Sequence, residues 1–120
     1  MTNLELTQLL DRLIRQGKEG EWLEFKHNHL DKEGFGERVS ALSNGANLHS
    51  EPFGYLVFGV EDGSLKVVGT SFSPKKFKVG NEELEHWLLQ RLSPRIDIRL
   101  HEFDYHGMPV VLVQIAVSQT

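Results

Sequence analysis

The segment that most constrains this chain is Gly54-Tyr-Leu-Val-Phe-Gly-Val60, followed directly by Glu61-Asp62-Gly63. It is a short apolar run rich in β-formers, bounded by turn residues, so it reads as a strand. Asp-Gly behind such a run is a strong hairpin signal, and Leu65 to Val68 supply a short return strand. A strand needs partners, and two other segments offer them. Residues 21–27 alternate, with Leu23 and Phe25 on one face and Trp22, Glu24 and Lys26 on the other, the period of a half-buried strand. Residues 95–104 alternate through Ile96, Ile98 and Leu100, His106-Gly107 marks a turn, and 109–117 is a valine-rich strand.

The remaining segments read as helices. Thr2 and Glu5 have capping-box spacing ahead of Leu6, Leu9, Leu10, Leu13 and Ile14, which predicts a helix over 3–16 that stops at Gly17. Phe35, Val39, Leu42 and Ala46 recur at helical spacing over 33–46. Residues 70–80 read as a loop, after which Asn81 is an N-cap candidate with Glu82 and Glu83 in the first turn of a third helix. Leu84, Trp87, Leu88 and Leu92 form its stripe, and Pro94 ends it. The predicted order is α-β-α-β-(β)-α-β-β. Past the first helix it reads β-α-β-α-β-β, an α/β (α+β) chain folded as a two-layer sandwich. No linker or repeat interrupts residues 1–120, so a single domain is expected. The last strand reaches the chain end, so further domains are expected after residue 120.

Composition narrows the function classes. Hydrophobic residues make up 39% and charged residues 25%, an ordinary globular balance. No apolar run approaches the roughly 18–20 residues that cross a bilayer, and the first residues lack the basic and apolar stretches of a signal peptide. With no cysteine, disulfides, thiolate nucleophiles and cysteine zinc sites are excluded, and a reducing, cytoplasmic setting is the expectation. A net charge of −4 argues against binding nucleic acid by charge alone. The charge is uneven, however. Residues 70–100 hold six bases (Lys75, Lys76, Lys78, Arg91, Arg95 and Arg99) against four acids. Of these, Lys75, Lys76, Lys78, Arg91 and Arg95 are the candidates for phosphate contact, with Trp22 and Tyr55 as candidates for stacking on bases.

One constellation carries chemistry. Glu19, Glu24 and Lys26 have the spacing Glu-x-x-x-x-Glu-x-Lys, and Asp62 follows the apolar strand. If strands 21–27 and 54–60 are neighbours, their ends bring three carboxylates and one ammonium together. Crowded carboxylates raise one another's pKa, a cost that a divalent cation relieves. Magnesium or manganese held by Glu19, Glu24 and Asp62 would activate water against a phosphodiester, with Lys26 neutralising the developing charge. The same residues also read as a solvated rim. Glu24 and Lys26 can form a simple surface ion pair, and Asp62 is what a tight turn before Gly63 requires.

Three segments taken together, Glu19 to Lys26, Val39-Ser-Ala-Leu-Ser-Asn-Gly-Ala-Asn47 and Gly54 to Gly63 with Val68-Gly-Thr70 behind it, resemble the Schlafen AlbA_2 domain, also called divergent AAA_4. That family is met in RecG-like helicase-related proteins and at the N-termini of transcriptional regulators. The resemblance implies an Alba-like fold and binding of RNA or single-stranded DNA by a module of a longer bacterial protein. In the vertebrate Schlafen branch, two glutamates and an aspartate form a metal-dependent ribonuclease site. The matching positions here are Glu19, Glu24 and Asp62, beside Lys26. The chain departs from the family at Leu48–Phe53, where a Gly-Gly pair is usual, and it lacks the cysteines of the Schlafen zinc site. Nothing reads Gly-x-x-x-x-Gly-Lys-Ser/Thr, so no ATP loop is expected. Three functions are therefore expected, in this order: nucleic-acid binding, a regulatory or assembly module that binds partner domains or a second copy, as a homodimer, through the sheet edge at 109–117 and the Trp87 helix, and a ribonuclease.

Overall fold

The apolar run becomes the middle of the molecule because it finds a strand on each side. In the structure, a computed structural model, residues 1–16, 20–28, 32–74, 78–79, 82–83 and 96–117 are described, with the backbone alone for 32–33, 78–79 and 82–83. Strand β2 (Phe53–Phe58) pairs in parallel with β1 (Leu23–Lys26), placing Glu24 beside Leu56 and Lys26 beside Phe58. Parallel neighbours need a crossover, and helix α2 (Lys32–Leu48) provides it.

The short pair β3 (Lys78–Val79) and β4 (Glu82–Glu83) forms a separate two-stranded sheet. On its other side β2 runs antiparallel to β6 (Met108–Ala116), and β6 is paired in turn by β5 (Ile98–Tyr105), giving the order β1-β2-β6-β5. His106 and Gly107 join the last two strands with φ of 47° and 90°, the positive pair that a type I′ turn demands.

Helix α1 (Asn3–Arg15) and helix α2 cover opposite faces of this sheet. Leu6, Leu9, Leu10 and Leu13 pack on Leu23, Phe25, Tyr55, Val57, Phe103, Val110 and Leu112. Phe35, Val39 and Leu42 pack on Leu56, Phe58, Ile98, Val111, Val113 and Ile115, with Phe72 and Ile96 closing the cluster. The fold is thus the expected mixed α/β domain: the two-layer unit of sheet and α2, with α1 as a further layer on the far face. Burial on both sides explains why β2 is a continuous apolar run rather than an alternating one. No helix among the described residues is long and apolar enough to cross a membrane.

Side chains fix α1 to the outer strand. The Thr2–Glu5 capping box forms as predicted, and the Asn3 amide both donates to the Asp104 carbonyl and accepts from its N–H, at 2.9 and 3.0 Å. The Tyr105 hydroxyl donates to Asp11 Oδ1 at 2.5 Å, and this bond, with some burial, raises the Tyr105 phenol above its ordinary pKa. Helix α2 approaches the turn before β1 so closely that a Cβ on Gly45 would lie 1.9 Å from the Glu21 carbonyl oxygen.

Three expectations are corrected. The strand at 109–117 is not a sheet edge: β6 lies between β2 and β5, because the last hairpin inserts its second strand beside β2 and leaves β5 outside. The Leu65–Val68 return is a tight loop with one bridge, Val60 to Val67, because Leu65 itself takes a positive φ of 59° that breaks an extended run. Glu82 and Glu83 do not open a helix; they form β4, paired antiparallel with Lys78 and Val79 of β3. The signal for that pairing is Gly80-Asn81, a dipeptide favoured between hairpin strands. The rest of the predicted third helix, Trp87 included, lies outside the described residues.

Candidate nucleic-acid interface

Strand alternation puts Glu24 and Lys26 on the α2 side of β1, opposite Leu23 and Phe25. There Glu24 meets two cations: Lys26 Nζ lies 3.7 Å from Oε2, and Arg38 Nη1 of α2 lies 3.4 Å from Oε1. The carboxylate is 13% exposed, whereas the Lys26 and Arg38 side chains are 35% and 49% exposed. Among the described residues Glu24 Oε2 has no hydrogen-bond partner. A shielded acid under two half-exposed bases gives this three-residue cluster a formal charge of one positive unit. Arg38 was not legible as part of this cluster, because its partner is fourteen positions away in the sequence and the helix alone gives no reason to pair them.

Asp62 sits farther along, on the exposed turn that follows Val60. The Glu61 N–H donates to the Lys66 carbonyl at 2.8 Å, Ser64 Oγ donates to Glu61 Oε1 at 2.7 Å, and Gly63 takes a φ of 88°. The turn is tied to β1 by the Gly59 and Val60 N–H groups, both donating to the Lys26 carbonyl at 2.7 and 3.2 Å. Asp62 thus lies on the turn past the strand ends, while Glu24 lies inside its strand. Glu19 lies outside the described residues. Among the described residues, no three His, Asp or Glu side chains are grouped to hold a metal ion.

Beside this end, Asn28 Oδ1 accepts from Thr70 Oγ1, the Ser71 N–H and Ser71 Oγ at 3.2, 3.2 and 3.1 Å. These bonds lock the loop after β1 to the segment after Gly69. The only signal in the sequence is the polar character of Asn28, which says nothing of a partner more than forty residues on.

Trp22 is placed differently from the alternation. Gly20 bridges to Leu23, so Glu21 and Trp22 lie in a turn and Trp22 falls out of the two-residue period. Its ring packs on the α1 side, edge-on to Tyr55 at 6.4 Å between centroids, and Tyr55 meets Phe53 at 6.3 Å. Trp22 therefore does not share the Glu24 face. Burial raises the Tyr55 phenol pKa, while the Arg12 charge and a hydrogen bond with Gln114 pull it back. Of the predicted phosphate contacts, Lys75, Lys76, Arg91 and Arg95 lie outside the described residues, and Lys78 stands on β3 opposite Glu83.

The model of the family described as Schlafen, AlbA_2 matches residues 19–120. The chain belongs to the Schlafen AlbA_2 family. The AlbA_2 match takes in α2 and all the strands among the described residues, and α1 precedes it. The AlbA_2 fold seen here is shared with the solution structure of the N-terminal domain of an ATP-dependent DNA helicase RecG-related protein from Nitrosomonas europaea. The two are 21% identical with a TM-score of 0.55, over 94% of this chain and 73% of that one. The DIP2311 protein of Corynebacterium diphtheriae matches with 16% identity and a TM-score of 0.45, over 95% of this chain and 26% of that one. No curated protein matches the chain.

Proposed function

We propose that this AlbA_2 domain binds single-stranded nucleic acid, as a cytoplasmic module of a helicase-related or regulatory protein. The AlbA_2 match over residues 19–120 carries the reading. The fold shared with the N-terminal domain of a RecG-related protein accords with it. The exposed faces of Lys26 and Arg38, together with the Lys75, Lys76, Lys78, Arg91 and Arg95 series, supply cations for the phosphates.

The test is a titration of the 120-residue chain into labelled single-stranded RNA and DNA, followed by anisotropy. Binding is expected at ~50 mM salt and should weaken steeply towards ~200 mM, because phosphate contacts release counterions. An unchanged anisotropy at the lower salt would rule the function out. The second reading, a metal-dependent ribonuclease, rests on Glu24, whose Oε2 has no hydrogen-bond partner among the described residues. The same labelled RNA, incubated with magnesium or manganese, reports it. The ribonuclease reading requires cleavage by the parent chain that Glu24→Gln abolishes; intact RNA removes it.

A further inference from the structure

Helix α1 does not cover the whole of its sheet face. Its leucines end over Tyr55, Val57 and Leu112, and the next step along the strands leaves Phe53, Gln114 and Ala116 half-buried. Two clefts open there, one of about 250 Å³ beside Arg12, Trp22, Glu51, Phe53 and Tyr55, and one of about 260 Å³ beside Phe53, Asp97, Arg99 and Gln114. Phe53 is the wall between them. We infer that this end of the sheet is a stacking platform for the unpaired bases of a single strand, with neighbouring bases seated on either side of Phe53. This inference rests on the nucleic-acid reading and adds where the bases go.

Four observations carry it. First, three aromatic rings run in a row, Trp22 to Tyr55 to Phe53, at centroid spacings of 6.4 and 6.3 Å and interplanar angles of 64° and 51°. They meet edge-on or tilted rather than stacked face to face, and the two outer rings, Trp22 and Phe53, are only half-buried. Second, each cleft is smaller than the roughly 300–1,000 Å³ of a pocket for a free ligand. Two small adjoining clefts with a shared aromatic wall suit a chain of flat units better than one compact molecule. Third, each cleft has an arginine, Arg12 in one and Arg99 in the other; the Arg99 side chain is 68% exposed, and its Nε lies 3.9 Å from Asp97 Oδ2, a loose solvent-exposed pair that a phosphate can displace. A guanidinium beside an aromatic seat can meet the phosphate that follows a stacked base. The Tyr55 hydroxyl, Gln114 and Glu51 add hydrogen-bonding groups between the rings and the rim. Fourth, β2 and β6, which carry Phe53, Tyr55 and Gln114, are both interior strands, so a peptide cannot reach these side chains by backbone pairing, and of the strands lining the clefts only β5, which carries Arg99 at the rim, is an outer strand. What this surface offers a partner is rings, an amide and guanidinium groups, the equipment for bases and phosphates, with Glu51 and Asp97 at the rims able to accept from base N–H groups.

The platform lies on the face opposite Glu24, Lys26 and Arg38, and neither of its arginines is among the predicted phosphate contacts Lys75, Lys76, Lys78, Arg91 and Arg95. Base seating and the carboxylate motif are therefore separable by mutation. The test uses the whole chain and a labelled single-stranded oligonucleotide at low salt. Phe53→Leu keeps an apolar side chain against Tyr55 but removes the ring; it should weaken binding about tenfold, and Phe53→Tyr should restore it. Arg99→Gln, at an exposed position, should lower the slope of log affinity against log salt by about one phosphate contact. If the parent binds while Phe53→Leu and Arg99→Gln, both folded by their melting curves, keep its affinity and salt slope, the platform is refuted and the nucleic-acid reading stands. If Phe53→Leu does not fold, Arg99→Gln alone decides. A parent that binds no strand overturns both.

Discussion

Gly45→Ala should lower the melting temperature of the domain by on the order of 10 °C, and thermal unfolding of parent and variant followed by circular dichroism measures it. The sign is opposite to the usual one. In an exposed helix interior, alanine is better than glycine by ~1 kcal/mol. Here the added Cβ would lie 1.9 Å from the Glu21 carbonyl oxygen and 2.8 Å from the Glu21 Cβ, and backbone cannot yield as a flexible side chain does. Either α2 moves off the turn at 20–22 or the turn itself shifts. Overpacking of this kind costs ~1–3 kcal/mol or more, and it must exceed the helix-propensity gain. The same approach brings His49 Nε2 to 3.2 Å from Glu21 Oε2, so the C-terminal part of α2 seats the turn that presents Trp22. A variant as stable as the parent would show that α2 and this turn do not pack together.

Phe58→Ala should cost more still. Phe58 is fully buried at the end of β2, 5.9 Å from the Phe35 ring of α2 and 4.7 Å from the Phe72 ring. Removing it takes away the ring shared by helix, sheet and the 70–74 segment, and leaves a cavity that backbone-tied neighbours cannot close. The expected loss is ~3–5 kcal/mol, which is a large part of the ~5–15 kcal/mol that holds a domain folded. Chemical denaturation should find the variant largely unfolded already in buffer, or with a midpoint far below the parent's. A loss under ~1 kcal/mol would mean that the three rings are not a common core.

What the residues alone disclose is the local part. The capping box at Thr2, the apolar run of β2 and the His106-Gly107 turn each follow from physics acting within a few residues, and each stands in the structure. Order within the sheet is a different matter. Nothing local says that β6 slips in beside β2, so its valine-rich sequence reads equally well as an edge or a centre. Trp22 shows how one bridge defeats a period: a single pairing of Gly20 with Leu23 turns the chain, and the residue just before the strand goes to the other face. The candidate site divides in the same way. Glu24 and Lys26 share a face as alternation requires, but Arg38, Arg12 and Phe53 join their clusters through contacts across the fold, which no spacing rule contains.

The most direct test of nucleic-acid binding is a titration of the isotope-labelled chain with a short single-stranded oligonucleotide, followed by amide and indole resonances at ~50 mM salt. Binding predicts progressive shifts, with the Trp22 indole and the Gln114 side-chain amide among those that move most, and their return towards the free positions as salt rises to ~200 mM. Spectra that stay unchanged up to about 1 mM strand, above the weakest affinities of non-specific binding, would contradict it.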